Sequence, residues 1–319
     1  MPSSSSPPFS TVALITHPDC ALHEMGPGHP EQPARLGAVE AGLEARGLLD
    51  RLVCLRAAEV EPSRLERVHS PAYVESVLRA SPQTGRVALD PDTAMNPYSL
   101  KAALLAAGGV VQGVDWVMAG EGRRAFCAMR PPGHHACRNR AMGFCIFNNI
   151  AVGAAHALAV HGCQRVAILD FDIHHGNGTQ DIFQQDERVL LCSVFQHPFY
   201  PFSGTEGQNG HIRGFPVGSG STGGELRRVV ETGWLPALDQ FRPEMVFVSA
   251  GFDGRRGDPL GGALWEDGDY HHITARICGW AEAHGAGGVV STLEGGYDLD
   301  GLGGAAAAHV AALLGQPWM

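Results

Sequence analysis

Six short apolar runs recur along the chain, unbroken rather than alternating: Val12–Ile15, Ala125–Met129, Val166–Leu169, Val189–Cys192, Met245–Ser249 and Val289–Leu293. A strand apolar on both faces has to be covered on both faces, which suits a parallel sheet packed between helices. Helix-type stretches lie between the runs: Ser99–Met118, Ile150–His161, Glu225–Phe241, Tyr270–His284 and Ala305–Leu314. The alternation predicts a three-layer α/β architecture with a mostly parallel central sheet. No linker, repeat or composition break interrupts residues 11–319, which read as one domain. The Ser- and Pro-rich opening MPSSSSPPFS reads as a loose tail over residues 1–10.

Composition removes several function classes. The net charge of −10 argues against electrostatic binding to nucleic acid or to an anionic membrane. No apolar run reaches the about 18 residues of a membrane span, and the N-terminus lacks the pattern of a secretory signal. The eight Cys form no CxxC pair, so a thiolate metal site is not expected and a reduced, cytoplasmic setting fits best.

The polar segments just after the strands carry the chemistry. After Ala125–Met129 comes Arg130-Pro-Pro-Gly-His134-His135; after Val166–Leu169 comes Asp170-Phe-Asp172-Ile-His174-His175-Gly176. Ser193 and Val194 come after the next run, Gly251-Phe-Asp253 and Gly257-Asp258-Pro259 after the next, and Glu294-Gly-Gly-Tyr297 after the last. Ligands of open parallel sheets bind outside the carboxyl ends of the strands, so these segments should converge on one crevice.

Asp172 and His174 project to the same side of an extended backbone and can grip one ion. A lone Asp-x-His more often caps a helix. Here the run is longer, and Asp258, held between Gly257 and Pro259, supplies a candidate third ligand. Two carboxylates and one imidazole leave coordination positions open, as a catalytic metal site requires. Zn²⁺ is the default ion, and an oxygen-rich shell also suits Fe²⁺, Co²⁺ or Mn²⁺. His134 and His135 can carry protons near neutral pH, with Asp170 orienting one ring and Asn177 the other. Tyr297, beyond a paired-Gly turn, can aim its hydroxyl at a developing oxyanion.

These motifs resemble those of histone deacetylases and acetylpolyamine amidohydrolases. Arg130-Pro-Pro-Gly-His-His135, Gly143-Phe-Cys-Ile-Phe-Asn-Asn149, Asp170 to Thr179, Ser249-Ala-Gly-Phe-Asp253, Gly257-Asp-Pro-Leu-Gly-Gly262 and Leu293-Glu-Gly-Gly-Tyr297 carry the likeness, over roughly residues 12–315. The wording is that of the class II branch. The resemblance implies the arginase/deacetylase fold, with an eight-stranded parallel sheet. It implies zinc on Asp172, His174 and Asp258, and hydrolysis of an acetyl amide by metal-activated water. His135 is implied as base and acid, and Tyr297 as carbonyl activator.

It further implies a structural potassium around Asp170, Asp172, His174, Ser193 and Val194. Phe144 and Tyr200 are implied as walls of an acyl-lysine channel, with Gly143 and Asp92 at the substrate and Arg35 by an internal exit route. The acidic gatekeeper of polyamine hydrolases aligns with Trp265, next to Glu266 and Asp267. That implies acetyl-lysine in a peptide or protein, or another acyl amide of low polarity, with acetylpolyamine as the alternative substrate. Relatives are often oligomers, which implies a possible homo-oligomer.

Overall fold

A computed structural model describes residues 11–318; the expected tail at 1–10 lies outside the described residues. The strands are β1 (Val12–Thr16), β2 (Val53–Arg56), β3 (Val87–Ala88), β4 (Ala94–Met95), β5 (Arg124–Cys127), β6 (Val166–Asp170), β7 (Val189–Gln196), β8 (Ile212–Val217), β9 (Met245–Ala250) and β10 (Val289–Leu293). Eight of them form a single sheet in the order β2-β1-β5-β10-β9-β6-β7-β8, and every pairing is parallel. β3 and β4 form a separate antiparallel ribbon.

Alternate residues of each central strand feed opposite cores, as the two-residue period of a strand requires. Ala167 and Leu169 of β6 join one apolar cluster, and Val166 and Ile168 join the other. The first cluster is covered by helices Ala34–Ala45, Asp267–Ala283 and Leu299–Leu313, the second by Ser99–Met118 and Asn149–Val160. Helix Ser99–Met118 is long and apolar enough to cross a bilayer by composition, but 72% of its apolar window is buried against protein.

All six apolar runs become strands of the main sheet. Two further strands, β2 and β8, lie at its edges. β2 alternates between half-buried and exposed positions, and β8 carries Gly214, which weakens a strand, and Pro216, which suits an edge. The expected helix Glu225–Phe241 runs unbroken, Gly223–Val229 and Leu235–Phe241 being joined through a wider helical turn at Val230–Trp234.

Candidate active site

The C-terminal ends of β5, β6, β9 and β10 stand side by side at the centre of the sheet, and the polar segments after them meet there. Their backbones are pressed together. A Cβ on Gly295 would lie 2.0 Å from Asp253 Oδ2 and 2.6 Å from Asp172 Oδ2, so only glycine lets this turn approach the carboxylates. Its amide donates to Asp172 Oδ2 at 2.8 Å.

His174 Nδ1 lies 3.0 Å from Asp172 Oδ1 and 3.0 Å from Asp253 Oδ2. The donor atoms of Asp172, His174 and Asp253 all fall within 4.8 Å of one another. This differs from the ligand set expected from sequence. Asp258 is not in that group: its Oδ2 accepts the amides of Tyr297 (2.6 Å) and Asp298 (3.1 Å), and Oδ1 accepts that of Leu260 (2.9 Å). Asp253, which the sequence offered only as part of a motif, is fully buried, with Oδ1 taking the Ile173 amide at 2.9 Å.

The donor set fits a cation. Asp170, Asp172, Asp253 and Glu294 are each at most 1% exposed. Burial, and then the charge of Asp172, pushes Asp253 up to about 7. Burial likewise raises Glu294 to about 7. So many acids cannot all ionise in a low-dielectric interior without positive charge beside them. Oxygen and imidazole donors of this kind suit a divalent ion such as Zn²⁺.

The two histidines differ sharply. Their ring centroids are 4.0 Å apart. His134 Nδ1 meets Asp170 Oδ2 at 3.0 Å, and its Nε2 lies 3.7 Å from Asp172 Oδ2. Burial works against its charge, but Asp172 and Asp170 outweigh burial and raise it to about 10. His135 Nδ1 meets only the uncharged Asn177 Oδ1, at 2.7 Å. Burial, and then the positive charges of His134 and His174, hold His135 well below its ordinary value. The two rings are thus set apart by their partners, a carboxylate for His134 and an uncharged amide for His135. Glu294 fixes their loop, its Oε2 accepting the amides of Gly133 (2.6 Å) and His134 (3.1 Å).

A pocket of about 260 Å³ opens onto this centre. His135, His174 and Tyr297 line it together with Phe144, Phe199, Tyr200, Pro259 and Leu260, and Asp92 and Gly143 complete the wall. Gly143 has φ +58°, and a Cβ there would strike the His135 ring at 2.4 Å, so the backbone lies flat on that ring. Asp92 Oδ1 accepts the Gly143 amide at 3.2 Å. Tyr297 stands edge-on to Phe144 (5.7 Å), and Tyr200 edge-on to His135 (5.3 Å). Burial raises the Tyr297 hydroxyl well above its ordinary value, so it stays a donor.

Ser193 pairs with Asp170 across β6 and β7, which brings the five residues of the expected potassium group onto neighbouring strand ends. Arg35 is fully buried and donates to Gly296 O (2.7 Å), Glu294 O (2.6 Å) and Glu31 Oε1 (3.2 Å).

One expected substrate residue needs correction. Trp265 is 0% exposed, packs in the core against Tyr270 at 6.2 Å and does not line the pocket. A large indole gains more from burial than from lining an open channel. In that loop the pocket is lined by Pro259 and Leu260. Sequence reasoning also missed Phe199, which stacks on His174 at 5.4 Å; its signal was its place beside Tyr200.

Comparison with known proteins finds one family over most of the chain. The family model described as "Histone deacetylase domain" matches residues 29–313. The chain is 38% identical over 278 residues to the histone deacetylase-like amidohydrolase of Pseudomonas aeruginosa, covering 85% of this chain and 73% of that protein. It is 36% identical over 335 residues to the polyamine deacetylase HDAC10 of Mus musculus, covering 96% of this chain but about half (48%) of that protein. The crystal structure of the HDA15 HD domain superposes with a TM-score of 0.89 at 35% identity, covering 96% of this chain and 89% of that one.

Proposed function

We propose that this chain, which belongs to the histone deacetylase family and hydrolyses acetyl amides, acts on N-ε-acetyl-lysine in peptides or proteins. The pocket wall carries the reading. Phe144, Phe199, Tyr200, Pro259 and Leu260 form an apolar sleeve, and His135, His174 and Tyr297 border the same pocket. An acetyl-lysine stem is four methylenes and loses its charge on acetylation, so it is suited to such a sleeve. Acetylpolyamine is the second reading, favoured by the Asp92 carboxylate on the wall and by the likeness to the mouse polyamine deacetylase.

Asp172 and His174 would hold a divalent ion, with Asp258 closing the site from the pocket side and Asp253 positioning His174 from behind. Asp258 keeps 7% exposure beside the pocket residues Pro259 and Leu260, whereas Asp253 has none. When bound, the ion supplies Lewis acidity toward the acyl oxygen and toward water. A potassium ion on Asp170, Asp172, His174, Ser193 and Val194 belongs to the same proposal.

The chain's own groups do the proton chemistry. His135, neutral and on the pocket wall, accepts a proton from the attacking water. The Tyr297 hydroxyl donates a hydrogen bond to the oxygen that gains charge, a contact worth a few kcal/mol in such sites. His134, its Nδ1 oriented by Asp170, stands beside His135 as the second imidazole of the pair. His135 then returns its proton to the departing amine. The buried cysteines, seven of eight, favour a reducing cytoplasmic setting.

The substrate assignment is tested by kcat/KM of the metal-loaded enzyme on an acetyl-lysine peptide and on N-acetylspermidine. A preference of tenfold or more for the peptide is expected. A preference for the polyamine overturns the substrate assignment and leaves the deacetylase reading intact.

A further inference from the structure

A second set of metal-type donors lies on the outer helical layer. Asp115, on helix Ser99–Met118, accepts from two imidazoles through one oxygen: His156 Nε2 at 2.8 Å and His161 Nε2 at 2.7 Å. His156 belongs to helix Asn149–Val160, and His161 caps its C-terminus. The two rings stand edge-on with centroids 5.3 Å apart. The three donor atoms lie within 4.8 Å of one another. His156 is 1% exposed, which fixes its ring, while the Asp115 side chain is 50% exposed and can adjust. Twelve helical residues at about 1.5 Å each put His161 roughly 18 Å along the helix from its active-site end.

We propose that Asp115, His156 and His161 form a second divalent-metal site, for a Zn²⁺-type ion that clips these two helices together. Two imidazole nitrogens, one carboxylate oxygen and a water make a four-coordinate set of the kind zinc takes. Tetrahedral ligands on bonds of about 2.0 Å stand about 3.3 Å apart, so the present contacts need to open by roughly half an ångström. Asp115 provides that movement. Burial holds His156 toward its neutral form, which is the form that ligates.

Two arginines oppose the ion, Arg64 through its charge near His156 and Arg67 by direct contact. Arg67 Nη1 lies 3.3 Å from His156 Nδ1. Arginine only donates, so Nδ1 accepts here and Nε2 carries the proton that Asp115 receives. Coordination through Nε2 moves that proton to Nδ1 and must push Arg67 aside, which its exposure permits. Arg67 therefore sets the affinity without being a ligand.

The test is equilibrium dialysis of the full chain against micromolar free Zn²⁺, then elemental analysis. Wild type is expected to hold one equivalent more than His161→Ala and than Asp115→Asn. Retained deacetylase turnover in both variants checks the fold. Arg67→Ala is expected to bind that equivalent about tenfold more tightly. Equal zinc in wild type and the two variants overturns the site. Binding in Arg67→Ala no tighter than in wild type overturns coordination through His156 Nε2.

Discussion

The guanidinium carbon of Arg35 lies 4.9 Å from the centroid of the Tyr297 ring. The same side chain holds the carbonyls of Glu294 and Gly296, the two residues flanking Gly295 in the turn that delivers Tyr297. Behind it, Glu31 takes Arg130 Nη2 at 2.6 Å and Arg35 Nη1 at 3.2 Å, all at 0% side-chain exposure. Arg35→Gln should cost about 1–3 kcal/mol, because the buried carbonyls of Glu294 and Gly296 lose their donor while Glu31 keeps Arg130. Urea unfolding measures it, and a loss below about 1 kcal/mol would contradict this anchoring role.

Tyr297→Phe deletes the hydroxyl and keeps the ring against Phe144 and Arg35. We expect kcat to fall on the order of 10²–10³-fold, with metal content and KM nearly unchanged. Turnover equal to wild type would remove Tyr297 from the chemistry.

The two carboxylates after β9 have different assigned roles, and paired variants separate them. Asp258→Asn should lose the bound divalent ion and the activity together. Asp253→Asn should keep the ion with lower affinity, by about 10–100-fold, as for other groups that orient a ligand. Elemental analysis of both variants reads the answer. The reverse pattern would make Asp253 the ligand, as its place among the clustered donors allows.

His309 predicts a pH effect on stability. It is fully buried between Thr274 Oγ1 (2.7 Å) and Ser291 Oγ (2.8 Å), and burial lowers it to about 3. The unfolded value is near 6.5, so between the two the unfolded chain binds more protons. Its contribution is whole above about pH 6.5 and falls as pH drops toward 3. From pH 7 to pH 5, wild type should lose about 2 kcal/mol relative to His309→Gln. Parallel changes in the two proteins would show that His309 titrates normally.

The sequence made the centre of the molecule legible and left its margins obscure. β6, β7, β9 and β10 are buried on both faces, so their apolar runs are continuous and stand out. β2 and β8 sit at the edges, where Arg56, Gly214 and Pro216 break the pattern. His134, His135, His174 and Tyr297 were readable because each sits just after a strand and the sheet brings strand ends together. Asp253 shares that position, but its use depends on which way a loop turns, and spacing does not encode that. Trp265 was misplaced because positions five residues apart in that loop differ completely in surroundings. Leu260 faces the pocket, whereas Trp265 joins the core.

Metal removal and return bear on the whole mechanism at once. Enzyme carrying His161→Ala, which leaves only the central site to fill, is stripped with chelator and titrated with Zn²⁺ on an acetyl-lysine peptide. No turnover is expected in the stripped protein and full recovery at one equivalent per chain, with none in Asp172→Ala. Undiminished turnover after complete stripping would contradict a metal-activated water as the nucleophile.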